Sequence, residues 1–230
     1  MSTNRKILIF VEGRSDKIII QSIISRSAKE MQGNIIVMAC DFFTERRVNQ
    51  QSVKKEIWKN VEYYCRRAYL DPGEDIAEII QITDTDGCFI DSSLVMYDEE
   101  ATSFRYEEDG IYSYAPEKVI QRNLAKSGNI YRVYNCGSIN GIPFKLYYMS
   151  CNLDHVLYNN RNMEDMEKVP TSKKKAREIH KNPSATIQFL ASVPIRLGND
   201  YKSSWEEIFL RNESLQRHSN LSYFLDELEN

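Results

Sequence analysis

No apolar run in the 230 residues approaches the roughly 20 needed to cross a bilayer. The opening MSTNRK leads into an apolar stretch, residues 7–11, that is too short for a signal-peptide core and stops at Glu12. No CxxC pair is present. The five cysteines, Cys40, Cys65, Cys88, Cys136 and Cys151, are scattered and odd in number, which argues against a disulfide framework or a cysteine-built zinc site. Reduced thiols in a cytoplasmic protein are the expectation. Strong positive charge is missing too: the net charge is −3, so any contact with nucleic acid has to come from local patches. The basic run KVPTSKKKA, residues 168–176, is the one marked patch. There is no P-loop, internal repeat or low-complexity tract. What remains is an ordinary globular composition, 42% hydrophobic and 27% charged, long enough for one large domain or a domain with an appendage.

The informative stretch is KILIFVEGRSDKIII, residues 6–20. An aliphatic run ends at Glu12-Gly13, and a second one starts after Asp16. A nucleotide-binding turn would carry several glycines and no acid, because its backbone N–H groups must reach a phosphate. One glycine with two acids suits a cation better. A second such place is AEIIQITDTDG, where an apolar run ends in Asp84-Thr85-Asp86-Gly87.

Hydrophobic periodicity predicts a buried strand over 5–11, a helix over 15–31, a strand over 34–40, a helix over 48–70 and a strand over 77–83. Strand-helix alternation at these lengths implies parallel strands joined by right-handed crossovers. Residues 88–115 read as an acidic, aromatic-rich excursion with a hairpin at Asp109-Gly110. A helix follows from Pro116, with Gly128 past its end. NIYRVYN (129–135) and PFKLYYMS (143–150) read as strands. The rest is expected to be helical, over 152–160, 171–181, 184–193, 202–217 and 221–228.

In an open parallel sheet, ligands gather at the carboxyl ends of the strands. Glu12 ends the first strand, and Asp84 and Asp86 end the third, so the three carboxylates converge at one edge. A hard, oxygen-seeking cation such as Mg²⁺ relieves their mutual repulsion. Each acid also has a plainer reading. Glu12 and Asp16 suit the positive end of a helix, and Asp-x-Asp-Gly is a common turn exit.

A strand ending in Val-Glu-Gly, an Asp four residues after the Glu, and an apolar strand ending in Asp-x-Asp resemble the Toprim domain over roughly residues 5–160. The resemblance implies an α/β fold, a Rossmann-like parallel sheet flanked by helices. It would comprise a catalytic domain over 1–160 and a helical C-terminal extension over 161–230. It also implies phosphodiester chemistry on DNA or RNA with Mg²⁺ or Mn²⁺, two ions being expected. Asp16 favours the nucleases of the OLD (overcoming lysogenization defect) family within it. There, Glu12, Asp16, Asp84 and Asp86 would hold the first ion, and Asp154 in YYMSCNLDHVLYN would serve the second. Such nucleases also carry a lysine near the scissile phosphate, for which the resemblance points to Lys173 in TSKKKA, with Lys174 and Lys175 as alternatives and a plain solvated face as the other reading of the run. The family usually has Glu where Asp154 stands, and it has no counterpart to residues 88–115. For a stand-alone nuclease the resemblance implies an antiviral role with a separate ATPase subunit, and it leaves a homo-oligomer open. Two alternatives are a non-catalytic nucleic-acid-binding or regulatory subunit, and a small RNA-maturing nuclease. His155, Tyr147 and Tyr148 are expected to be structural.

Overall fold

The computed structural model describes residues 5–27, 34–43 and 48–229. Its main sheet contains β1 (Lys6–Val11), β2 (Ile35–Ala39), β3 (Ile76–Asp84), β7 (Ser138–Ile139) and β8 (Ile142–Met149), in the order β2-β1-β3-β8-β7. The first four in that order run parallel, and β7 is a short antiparallel edge. This is a Rossmann-like α/β arrangement dominated by parallel pairing. The helices are α1 (Arg14–Ser27), α2 (Val53–Ala68), α3 (Pro72–Asp75), α4 (Pro116–Val133), α5 (Leu153–Tyr158), α6 (Asp165–Lys181), α7 (Pro183–Ala191), α8 (Tyr201–Ile208) and α9 (Leu221–Glu229). Residues 28–31 of the predicted first helix lie outside the described residues.

The central strands β1 and β3 are largely buried on both faces, and the edge strand β2 is half-buried. Ile7, Ile9 and Val11 alternate into one core with Ile19, Ile20 and Ile23 of α1, Ile179 of α6, Leu190 of α7 and Leu225 of α9. Leu8 and Phe10 point into the other, against Val53, Ile57 and Val61 of α2, Ile130 and Val133 of α4, and Trp205 and Ile208 of α8. Each such side chain contributes roughly 1.5–3 kcal/mol on burial, which makes the strand register hard to slip. Residues 165–229 thus help to cover both faces of the sheet. They also close its edge. Ser150 N–H donates to the His218 carbonyl (2.7 Å), Cys151 N–H to the Ser214 carbonyl (2.9 Å) and Tyr148 N–H to Asn220 Oδ1 (2.7 Å). Edge groups of β8 that the two-residue β7 cannot reach are satisfied in this way.

The excursion after β3 forms a second sheet of β4 (Val95–Tyr97), β5 (Phe104–Tyr106) and β6 (Ile111–Ser113), with β5 and β6 joined as the hairpin expected at Asp109-Gly110. Three expectations are corrected. The predicted strand over 129–135 is the end of α4, whose buried stripe Val119, Asn123, Lys126, Ile130, Val133 runs straight through Gly128. That glycine is no helix stop. A Cβ there would lie 2.2 Å from Gln50 Nε2, so it serves close packing. The predicted helix over 202–217 ends at Ile208, because residues 213–220 leave it to line the β8 edge. Helix α6 begins at Asp165 rather than 171, running through Pro170 at the loss of one intrahelical hydrogen bond. Among the described residues, no helix is long and apolar enough to cross a membrane.

Candidate functional site

The chain passes from β1 out to β2 and returns to place β3 on the opposite side of β1, so the β1/β3 boundary is where the strand order reverses. Such a boundary leaves a crevice outside the carboxyl ends of the strands. Val11 pairs with Ile82, and Asp84 with Met149, so the ends of β1, β3 and β8 stand side by side. Glu12, the Asp84-to-Asp86 turn and Asp154 follow directly from these three ends. With Asp16 they line one cleft of about 1030 Å³.

Glu12 is held from below. Its Oε1 accepts the Thr83 hydroxyl, the Asp84 backbone N–H (3.1 Å) and the Lys126 ammonium (2.9 Å), and Lys126 also reaches Oε2 at 3.2 Å. Asp16, in the first turn of α1, accepts the Gly13 N–H through Oδ2 at 2.6 Å. That is the reach-back bond of a helix N-terminus. It explains the close turn, because a Cβ on Gly13 would sit 2.7 Å from the same oxygen.

The turn after β3 departs from ordinary backbone. Asp86 has φ +51° and Gly87 φ +64°, two successive left-handed residues. Helix α4 grips them. Arg122 Nη2 donates to the Asp86 carbonyl (2.9 Å), Asn123 Nδ2 to the Gly87 carbonyl (3.4 Å) and Lys126 Nζ to Asp86 Oδ2 (2.5 Å). From the second sheet, the Tyr106 hydroxyl donates to Asp86 Oδ1 at 2.9 Å and accepts from Arg122 at 2.9 Å. Asp84 points the other way, its Oδ1 accepting the Leu153 N–H at the start of α5 (3.1 Å). Asn152 caps that helix by accepting the His155 N–H (2.8 Å). Asp154 is only 5% exposed, and its buried Oδ1 has no hydrogen-bond partner.

The charges do not balance. Burial pushes Glu12 up to about 8, with Asp41 and Asp86 adding and Lys126 opposing. Burial drives Asp84 well above the carboxylate range, and Asp16, Glu12 and Asp86 push it in the same direction. Asp16 rises through burial, against the Gly13 bond, and Asp154 rises to about 6, again chiefly by burial. Asp86 alone is lowered: against burial, Lys126 and Arg122 hold it ionised. Burial thus disfavours the charged form of four of the five acids, and of these only Glu12 has a lysine salt bridge among the described residues. Among the described residues no three His, Cys, Asp or Glu side chains form a ready-made metal cage. Two of the five acids, Glu12 and Asp86, are turned onto Lys126 instead. The remaining donors are carboxylate oxygens, one of them buried and unpaired. By chemistry and charge they fit an oxygen-seeking cation.

The structure thus brings Glu12, Asp16, Asp84, Asp86 and Asp154 together, and leaves Lys173 out. Lys173 is exposed on α6, while Lys168, five residues and about 140° earlier on that helix, lines the cleft, pairs with Asp165 at 2.8 Å and feels the Asp154 and Asp84 charges as well. Arg14, Arg105 and Arg161 add positive charge to the walls, and Phe104 adds an aromatic face. His155 is buried, its pKa lowered to about 3 by burial and nearby arginines, and Tyr147 and Tyr148 are core residues. Lys126, Arg122 and Tyr106 were missed by sequence reasoning. Their signal is a lysine on the buried stripe of α4, where an unpaired charge would be untenable. No family model, curated protein or solved structure matches the chain.

Proposed function

We propose that the chain is a metal-dependent nuclease of the Toprim type, most like the OLD nucleases, cutting phosphodiester bonds in DNA or RNA with Mg²⁺ or Mn²⁺. One observation carries the reading. Three neighbouring parallel-strand ends deliver five carboxylates into a single cleft at the point where the strand order reverses. Burial, and for Glu12, Asp84 and Asp154 the neighbouring acids as well, raises the pKa values of Glu12, Asp16, Asp84 and Asp154, so their ionised forms are disfavoured in the metal-free chain.

Asp16, Asp84 and Asp154 would hold the ion, with Glu12 beside them. Bound there, Mg²⁺ would neutralise phosphate charge and lower the pKa of an attacking water. The chain supplies the rest. Lys168, whose ammonium pairs with Asp165 at 2.8 Å, lines the same cleft from α6 and would meet the phosphate as negative charge builds on it. Arg14 and Arg161 on the walls would bind the flanking backbone, and the Tyr106–Arg122 pair keeps Asp86 oriented. A cytoplasmic antiviral role with a separate ATPase subunit belongs to this proposal by family analogy.

A second reading is a non-catalytic subunit that binds nucleic acid or a partner. It draws on the salt bridges of Lys126, which satisfy Glu12 and Asp86 without any metal. A panel of plasmid, single-stranded DNA and tRNA, incubated with the chain in Mg²⁺, Mn²⁺ or EDTA, separates the two. The nuclease cuts at least one substrate with either ion and none in EDTA. Retention of substrate without cutting, unaffected by EDTA, supports the binding subunit.

A further inference from the structure

The fully buried Lys126 is the most unusual charge in the molecule. Its side chain is 0% exposed, and its Nζ spans Glu12 and Asp86, at 2.9 and 3.2 Å from the first and 2.5 Å from the second. It lies beneath the floor of the cleft and is not among the residues that line it. We propose that this ammonium is a permanent cation of the site, so that the cleft takes one divalent ion, on the Asp16–Asp84–Asp154 side, and not two. The inference rests on the metal-dependent reading above and adds the ion count.

Geometry supports the exclusion. Mg²⁺ requires oxygens at about 2.0–2.1 Å in near-octahedral order. Between Glu12 and Asp86 the same oxygens already face a unit positive charge at hydrogen-bond distance, in surroundings that screen little. The lysine side chain is fully buried, and its backbone is held in place. The helix carrying it is pinned on both sides, by Arg122 and Asn123 on the Asp86–Gly87 turn, and by Asn129, whose amide donates to the Phe43 (3.2 Å) and Val48 (3.4 Å) carbonyls. Asp86 is equally fixed, with Tyr106 on its other oxygen. The opposite side of the cleft differs. Asp154 offers a buried oxygen with no partner, Asp84 uses one oxygen for Leu153, and neither hydrogen-bonds to Lys126. An ammonium thus settles one half of the acid cluster and leaves the other half for a metal. Lys126 is a positioning residue here: it fixes Glu12 and Asp86 without touching substrate.

Calorimetric titration of the full chain with Mn²⁺ counts the ions directly. One ion per chain is expected. Two ions per parent chain would overturn the inference while leaving the metal-dependent reading intact, and none would overturn both. Lys126→Met should take up a second Mn²⁺, melt at a lower temperature in EDTA, and gain more from Mn²⁺ than the parent does. Lys126→Arg, which keeps the charge, should still bind one. A single ion in Lys126→Met, bound as in the parent, contradicts the proposal. Should Lys126→Met not fold, acylation of the parent's lysines followed by mass spectrometry still decides. Lys126 should stay unmodified at saturating Mn²⁺, whereas a lysine expelled by a second ion becomes reactive, and that result overturns the assignment.

Discussion

The backbone N–H of Leu153 donates to Asp84 Oδ1 at 3.1 Å. This bond ties the acid at the end of β3 to the first residue of the helix that follows β8. The acid before the turn and the acid after it, Asp84 and Asp154, are therefore placed by one local arrangement, although 70 positions separate them in the chain.

Asp154 tests that arrangement from the far side. Its unpaired buried Oδ1 and raised pKa of about 6 show that the folded chain alone does not favour its charged form. Asp154→Asn should leave the metal-free protein at least as stable as the parent. Cleavage should fall on the order of 10²-fold or more, because a ligand charge is gone. Denaturant melts in EDTA and single-turnover rates in Mg²⁺ check the two halves separately.

Two lysines on α6 make an internal comparison. Lys168 lines the cleft and Lys173 is exposed away from it. Lys168→Ala should slow the chemical step on the order of 10²-fold if it stabilises transition-state charge. Lys173→Ala should stay within about twofold, as surface substitutions usually do. Single-turnover cleavage of one substrate by both variants is the measurement, and equal losses would contradict the placement.

The acid cluster also sets a pH dependence. Glu12 rises from 4.5 to about 8 and Asp154 from 3.8 to about 6, so in this interval the folded state binds more protons than the unfolded one. Stability from these groups is therefore fully present below pH 4 and is lost as pH climbs to about 8. The metal-free protein should melt lower at pH 8.5 than at pH 5.5. The gain from added Mg²⁺ should be larger at pH 8.5, since protons no longer compete for the carboxylates. Melting curves at both pH values, in EDTA and in Mg²⁺, read both effects.

Gly87 carries the turn that aims Asp86. Its φ of +64° suits glycine, and a Cβ would lie 2.5 Å from Leu215 Cδ2. Gly87→Ala should cost roughly 1–3 kcal/mol and lower cleavage as Asp86 shifts. Gly137 is the control: it shares the same φ, but a Cβ there meets nothing within 4 Å. Gly137→Ala should cost roughly 1–2 kcal/mol and leave cleavage unchanged. Urea titration and cleavage of both variants check this.

Strands β1 and β3 were legible because they are largely buried and read as aliphatic runs with acids at their ends, whereas the two-residue β7 gives no such run. Helix α4 was not fully legible. Gly128 looks like a helix stop until its close approach to Gln50 is known, and stopping there cut the stripe that would have marked Lys126 as buried. Lys168 was overlooked for a similar reason. The expected helix begins only at residue 171, just past Pro170, which leaves Lys168 outside it. The edge pairing of residues 213–220 with β8 depends on contacts about 65 positions apart, which no local pattern encodes.

The most direct measurement is the melting temperature of the parent and of Asp84→Asn, each with and without Mg²⁺. Asparagine keeps the acceptor for the Leu153 N–H while removing a charge that burial first, and then Asp16, Glu12 and Asp86, disfavour. In EDTA the variant should be at least as stable as the parent. Mg²⁺ should raise the melting temperature of the parent through binding to the folded state, raise that of the variant much less, and support cleavage only by the parent. A variant destabilised by about 1 kcal/mol or more in EDTA, with an undiminished response to Mg²⁺, would contradict a metal site at Asp84.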